Sequence, residues 1–223
     1  MTKTRAMNRA TAERHLNESL ERMGTDYLDL WQIHDLTSAE DADRRIHGGV
    51  LEFMLEAKAS GRVRYLGFTG HTRPAAHLHF LRRLKEMGVE LDATQMPVNI
   101  VDPHYESFIR ALMEPLVDRG YAVLAMKTLV YGQLIGQRTS WRGDRRAEDV
   151  GAIGAEVTLA EALGFVWSLP VCSLVSGMTN VRELEQNAAL CRDFPKLDEA
   201  ARERIVARVE RYSGPQMEFY KAI

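Results

Sequence analysis

From Asp26 onward, short apolar runs alternate with longer amphipathic stretches. This alternation constrains the chain more than any other feature, because it is the signature of repeated strand–helix units. The spacing predicts strands at Tyr27–His34, Val63–Gly70, Ala93–Val98, Ala122–Lys127 and Cys172–Gly177. Helical periodicity fills the intervals near Ala10–Met23, His47–Ser60, Ala75–Met87, Tyr105–Arg119, Leu159–Ser168 and Val181–Arg192. The strands are rich in Val, Leu, Ile and Tyr with little alternation, as expected where helices cover a parallel sheet. Gly24, Gly61, Gly88 and Gly120 each follow a helical stretch, where a left-handed residue is often needed. Thr158 and Glu161 have the spacing of a capping box. Five full strands and the stub of a sixth fall short of an eight-stranded barrel, which typically takes about 250 residues. The chain has 223, and the shortfall is expected at the front.

The formal net charge is -2, from 29 Lys and Arg against 31 Asp and Glu. That balance offers no global attraction to nucleic acid or to an anionic membrane. No stretch approaches the roughly 20 apolar residues of a membrane span, and the polar N-terminus lacks a signal-peptide core, so a cytoplasmic protein is expected. Cys172 and Cys191 form no Cys-x-x-Cys pair, and their apolar neighbours suggest small buried side chains. His77 and His79 stand two apart on a predicted helix and point to different faces, a poor metal pair, so no metal is expected. An irregular stretch from Gly132 to Val157 carries Arg138, Arg142, Arg145 and Arg146, either a phosphate-steering set or a solvated loop. Tyr27 and Tyr65 lie within predicted strands and read as packing residues.

The segment Ser19-Leu20-Glu21-Arg22-Met23-Gly24-Thr25-Asp26-Tyr27-Leu28-Asp29-Leu30-Trp31-Gln32-Ile33-His34 resembles the aldo/keto reductase segment that leads into the fourth barrel strand. Gly61 to Thr69 resembles that family's fifth strand, and Gln95-Met96-Pro97-Val98-Asn99 its sixth. Gly177-Met178-Thr179 through Leu184-Glu185-Gln186-Asn187 resembles its eighth strand and the helix holding the adenosine end of the cofactor. Gly67-Phe68-Thr69-Gly70-His71, Ala125-Met126-Lys127 and the ending Glu218-Phe219-Tyr220-Lys221 are similar to a bacterial subgroup of oxidoreductases. The resemblance implies a (β/α)₈ TIM barrel of the aldo/keto reductase type, lacking the first two strands and most of the third. It implies one domain over residues 1–223, incomplete at its N-terminus.

The resemblance also implies carbonyl reduction, which needs a hydride donor, a proton donor and dipoles that hold the carbonyl. His34 matches the family's His, which orients the carbonyl and can donate to its oxygen. Lys3, in Thr2-Lys3-Thr4, matches the Lys whose charge favours ionisation of the family's acid Tyr. That Tyr and its partner Asp belong to the family's first and second strands and match no residue here. For the cofactor, Gln95 matches the glutamine that bonds the nicotinamide carboxamide. Thr69 and Gly70 stand where many relatives have Ser-Asn. Met126 takes the place of an aromatic that stacks on the nicotinamide. Lys127 is either a phosphate partner or a charge at the barrel mouth. The backbone from Leu129 to Gln133 would line the pyrophosphate, with Gly132 permitting close approach. Thr179, Glu183, Gln186 and Asn187 match the adenosine-end positions at a helix start. Glu183 departs from the usual Arg or Gln; a carboxylate there would repel a 2′-phosphate and could accept from a ribose hydroxyl, while Arg182 could offset it. The implied cofactor is NADP(H), with NAD(H) as the alternative.

Two functions follow, and a third, unrelated chemistry on the same barrel, is disfavoured by the ordered matches. One is reduction of a small aldehyde or ketone, with the 223-residue chain expected to be inactive by itself. The other is a non-catalytic nucleotide-binding or regulatory protein on the same fold. Open sheet edges near Lys3 and Cys172 are expected to favour self-association.

Overall fold

A computed structural model of the protein describes residues 1–136, 152–194 and 196–222. Arg138, Arg142, Arg145 and Arg146 lie outside the described residues. The chain forms two compact units, Met1–Gln95 with Glu114–Ala122 and Met96–Met113 with Val123–Ile223.

In the first unit, strands β1 (Thr2–Thr4), β2 (Leu28–Ile33) and β3 (Val63–Thr69) and the start of β4 (Ala93–Pro97) lie side by side, all parallel. Helices α1 (Arg9–Met23), α2 (Ala39–His47), α3 (Val50–Ala59) and α4 (Pro74–Glu86) connect them. Strand β2 buries Leu28, Trp31 and Ile33, and α1 buries Ala12, Leu16 and Leu20, four residues apart on one stripe. The Trp31 ring meets Phe53 of α3 edge-on at 6.1 Å, and Phe68 of β3 meets Phe80 of α4 at 5.2 Å. Each fully buried side chain of this size contributes about 1.5–3 kcal/mol. Asn8 caps α1 by accepting from the Thr11 amide, and Gly24 closes it at φ 63°. Register is what positions the site. Thr4 pairs with Ile33, Ile33 with Phe68, and Thr69 with Gln95, so the chain leaves the first three strands at one level.

In the second unit β5 (Ala122–Met126) and β6 (Ser173–Leu174) are parallel, with Leu124 opposite Ser173 and Ala125 opposite Leu174. The Val175 amide extends that pairing to the Ala125 carbonyl at 2.8 Å, and the Val98 amide reaches the Met126 carbonyl at 3.0 Å. Helices α6 (Leu159–Trp167), α7 (Val181–Asp193) and α8 (Glu199–Val209) follow, and the division of the chain falls within α5 (Phe108–Asp118), after Met113. The expected capping box at Thr158 and Glu161 opens α6 in full.

Every predicted strand is present, and the pairings within each unit are parallel. Four details differ. The helix expected over His47–Ser60 breaks at Gly48-Gly49, where Gly49 takes φ 77°. Helices α2 and α8 were not expected; both are charge-rich and bury only three and two residues. Tyr27 and Tyr65 are 37% and 55% exposed rather than packed, because they lie near the starts of their strands, with Tyr27 stacked against the Arg64 guanidinium. Cys172 and Cys191 are exposed rather than buried, since none of the described residues of α7 is buried and Ser173 of β6 is exposed too. Among the described residues no helix is long and apolar enough to cross a membrane.

Candidate functional site

Four of the residues singled out by the sequence gather at the strand ends of the first unit. His34 follows β2 directly, and its amide donates to the Thr4 carbonyl at 2.7 Å, which fixes it beside the exit of β1. Lys3 lies one position further back, opposite Gln32. Thr69 and Gln95 are register partners on β3 and β4.

His34 has a defined tautomer. Arg5 Nε donates to His34 Nδ1 at 2.9 Å, and a guanidinium can only donate. Nδ1 therefore accepts, and the ring proton sits on Nε2, which becomes a donor. Burial holds the imidazole well below its ordinary range, at about 4, helped by the positive charges of Arg5, Lys3, His71 and Arg45. His34 is thus a neutral hydrogen-bond donor at physiological pH, the form suited to a carbonyl oxygen that gathers negative charge.

The loop behind His34 is held by a side chain that the sequence did not announce. Arg45 of α2 is 3% exposed. Its Nη1 donates to the carbonyls of His34 at 3.1 Å and Ala6 at 3.3 Å, and its Nη2 to the Asp35 carbonyl at 3.4 Å. Its Nε is shared between both oxygens of Asp41, one helical turn earlier. Asp35 in turn lies 3.2 Å from His71 Nε2. Burial pushes the Asp35 carboxyl above its ordinary value, against the pull of His71, Arg5 and Arg45.

Beside this group, Gln32 Nε2 donates to Gln95 Oε1 at 3.3 Å, which turns the amide nitrogen of Gln95 the other way as a donor. Thr69 Oγ1 is buried without a hydrogen-bond partner among the described residues. A buried orphan hydroxyl next to an oriented amide suits a carboxamide ligand, so these residues fit the nicotinamide end of the implied cofactor.

The remaining residues belong to the second unit. Met126 ends β5, and the chain then turns through Lys127 (φ 58°), Val130 (φ 51°), Tyr131 (φ 57°) and Gly132 (φ 84°). Three non-glycine residues in left-handed backbone within five positions is costly, at about 1–3 kcal/mol each, and such strain gathers at ligand sites. The ammonium of Lys127 hydrogen-bonds the Tyr131 hydroxyl and lies 3.8 Å from that ring's centre. Asn99 donates to the Lys127 carbonyl at 3.4 Å. Lys127 is thus engaged within its own loop, with Leu129 preceding the helical turn Val130–Ile135. The turn has the tight, glycine-bearing geometry suited to backbone contact with a pyrophosphate.

Parallel pairing of β5 and β6 puts the start of α7 at the same end as Met126. There Thr179 and Glu183 bond one another, the Glu183 carboxylate accepting from the Thr179 amide at 2.7 Å and from its hydroxyl at 3.1 Å. These bonds hold the carboxyl below its ordinary value. Asn187 donates to Ser176 Oγ at 3.0 Å, and Gln186 is exposed on the same helix. Elsewhere His77 is fully buried in the first unit, and His79 faces Asp43 at 3.0 Å. No three potential metal ligands cluster among the described residues.

Residues 1–209 match the model of the aldo/keto reductase family. Among solved structures, the holo form of an aldo-keto reductase from Bacillus halodurans aligns with a TM-score of 0.71 at 22% identity, covering 92% of this chain and 70% of that one. An aldo-keto reductase from a Medee basin deep-sea metagenome aligns with a TM-score of 0.67 at 15% identity, covering 94% and 70%. One from Brucella melitensis aligns with a TM-score of 0.63 at 18% identity, covering 93% and 71%. No curated protein matches the sequence.

Proposed function

The chain belongs to the aldo/keto reductase family, and from that premise we propose that it is a cytoplasmic oxidoreductase domain acting on aldehydes or ketones with NADP(H) or NAD(H). The observation that carries the reading is His34, a neutral Nε2–H donor at a strand end. When bound, the cofactor supplies the hydride. In the first unit Gln95 and Thr69 have the chemistry to hold a carboxamide; in the second, Met126 stands at the position that packs against the nicotinamide ring in the family's pattern. The 129–133 backbone would face the pyrophosphate, and Thr179, Glu183, Gln186 and Asn187 the adenosine end. His34 would hold the carbonyl oxygen and stabilise the charge that develops on it; one such donor is worth about 10²–10³ in rate.

No residue of this sequence matches the family's acid Tyr or its Asp, and a positioned acid contributes about 10²–10⁴ in rate. Turnover by the 223-residue chain is therefore expected to be lower by about that factor, a small residual rate rather than an appreciable one. The same feature favours a second reading, a nucleotide-binding or regulatory protein without catalysis. The test measures quenching or enhancement of reduced-nicotinamide fluorescence on binding, then oxidation of the cofactor with an aldehyde panel, for the wild type and H34Q. Cofactor binding by both, with a slow aldehyde-dependent rate that H34Q lowers at least about tenfold, supports the reductase. Binding without any aldehyde-dependent oxidation selects the second reading. Failure to bind either cofactor overturns both.

A further inference from the structure

Arg5 is exposed, lies directly after β1 and matches none of the residues that the reductase reading uses. Its guanidinium nevertheless makes a contact that decides which nitrogen of His34 carries the proton. Neutral imidazole exists in two tautomers of similar energy in water, so an unconstrained His34 would present Nε2 as an acceptor for part of the time. A donor that can never become an acceptor removes that ambiguity. The contrast with a neighbouring contact is instructive. Thr4 Oγ1 lies 2.9 Å from His15 Nδ1, but a hydroxyl can give or take, so that contact leaves His15 undetermined.

We infer that Arg5 is a positioning residue for His34, fixing the ring as its Nε2–H tautomer. The inference rests on reading His34 as the donor to a carbonyl oxygen, since only that role needs the proton on Nε2. Several charged groups face His34 from different elements: Lys3 of β1, Arg5 at its exit, Arg45 of α2 and His71 after β3. The acid that follows His34 in the chain, Asp35, is paired with His71 at 3.2 Å. Burial and the other cations act on the ring's charge alone; Arg5 also acts on its hydrogen-bond direction. Arg45 is less informative to remove, because it is buried and holds three backbone carbonyls, so its loss would disturb the loop itself. Arg5 can be changed with little effect on folding, as expected for an exposed side chain.

The test uses the full chain labelled with ¹⁵N-histidine and records two-bond ¹H–¹⁵N spectra of the imidazoles from pH 8 to 5. H34Q identifies the His34 signals. In the wild type His34 should show one protonated and one unprotonated nitrogen, Nε2 and Nδ1 respectively, with no more than about a tenth of the ring charged at the acid end of that range. In R5M the two nitrogens should move toward an averaged tautomer pattern. The fraction of His34 imidazolium at pH 6 should also rise by about tenfold, one unit of pKa. R5K, which keeps a cationic donor, should stay close to the wild type. Thermal unfolding of R5M should change little, which separates this role from a structural one. R5M spectra that match the wild type in both tautomer and titration would overturn the inference. A spectral change with unaltered carbonyl turnover would sustain the role of Arg5 and remove His34 from the chemistry instead.

Discussion

Glu183 shows how much a single position can and cannot reveal. Its departure from the family's usual Arg or Gln is visible in the sequence, and so is the consequence for a 2′-phosphate. Its partner is not visible in the same way. The carboxylate folds back on Thr179, while its own amide donates to Asn180 Oδ1 at 3.0 Å, so it is the Asn180 side chain that caps α7 and the Glu183 carboxylate ties down the residue before that cap. Replacing it with arginine should reverse the local charge and shift relative affinity toward NADPH over NADH by about tenfold, or 1.4 kcal/mol. Dissociation constants for both cofactors on wild type and E183R measure this. A ratio that does not move would mean that Glu183 does not read the ribose. His34 was legible because it ends a long ordered match. Arg5 and Arg45 were not, because each finds it through topology, 29 and 11 positions away in the chain. Sequence spacing carries no signal of a contact that only strand register creates.

At the scale of elements, the strands were readable because most of their positions are buried, which leaves short apolar runs such as Ala122–Met126. Helix α2 was not, because two of its three buried residues, Asp41 and Arg45, are charged and satisfied by each other, leaving no apolar stripe to find. The C-terminal segment hides in the same way. Glu218 and Lys221 look like surface residues, yet they are 0% and 2% exposed. Lys221 Nζ lies 2.7 Å from Asp102 and 2.9 Å from Glu218, and donates to the Tyr105 carbonyl at 2.7 Å. Asp102 also accepts from the amides of Phe108 and Ile109, which ties this cluster to the start of α5. Asn99 joins it to the strained loop, donating to Glu218, Tyr220 and the Lys127 carbonyl. Breaking such a cluster from one side leaves buried charge without compensation. K221M should therefore destabilise the protein by about 3–5 kcal/mol, seen as a lower urea midpoint. E218Q should cost clearly less, since the pair of Lys221 and Asp102 survives. Equal losses from both would show that the cluster does not turn on the lysine.

For the whole molecule, the buried histidines set how stability responds to acid. His34 and His77 are both held below the ordinary value of 6.5, to about 4 and about 3, in each case chiefly by burial. The unfolded chain binds a proton at each near pH 6.5, while the folded chain does not until pH reaches those lower values. Unfolding therefore takes up protons in that window, and stability must fall as pH drops from about 6.5 toward 4, with no contribution from these groups above it. The acids Asp35 and Glu218 are raised by burial and act in the opposite sense, because the folded state keeps their protons longer. The net slope thus mixes signs, and a single-site comparison isolates one term. His77 suits this: it is fully buried, its ring meets Phe68 at 5.1 Å, and it takes no part in the proposed chemistry. A proton taken up only by the unfolded state costs roughly 1.4 kcal/mol per pH unit. Glutamine at position 77 is of similar size and does not titrate. H77Q should be less stable than the wild type at pH 7, where its packing is imperfect. It should then lose less on going from pH 7 to pH 5, by at least about 1 kcal/mol, in urea unfolding followed by circular dichroism. Parallel losses in the two proteins would mean that His77 accepts its proton in the folded state near pH 6.5, and that its burial does not hold it neutral.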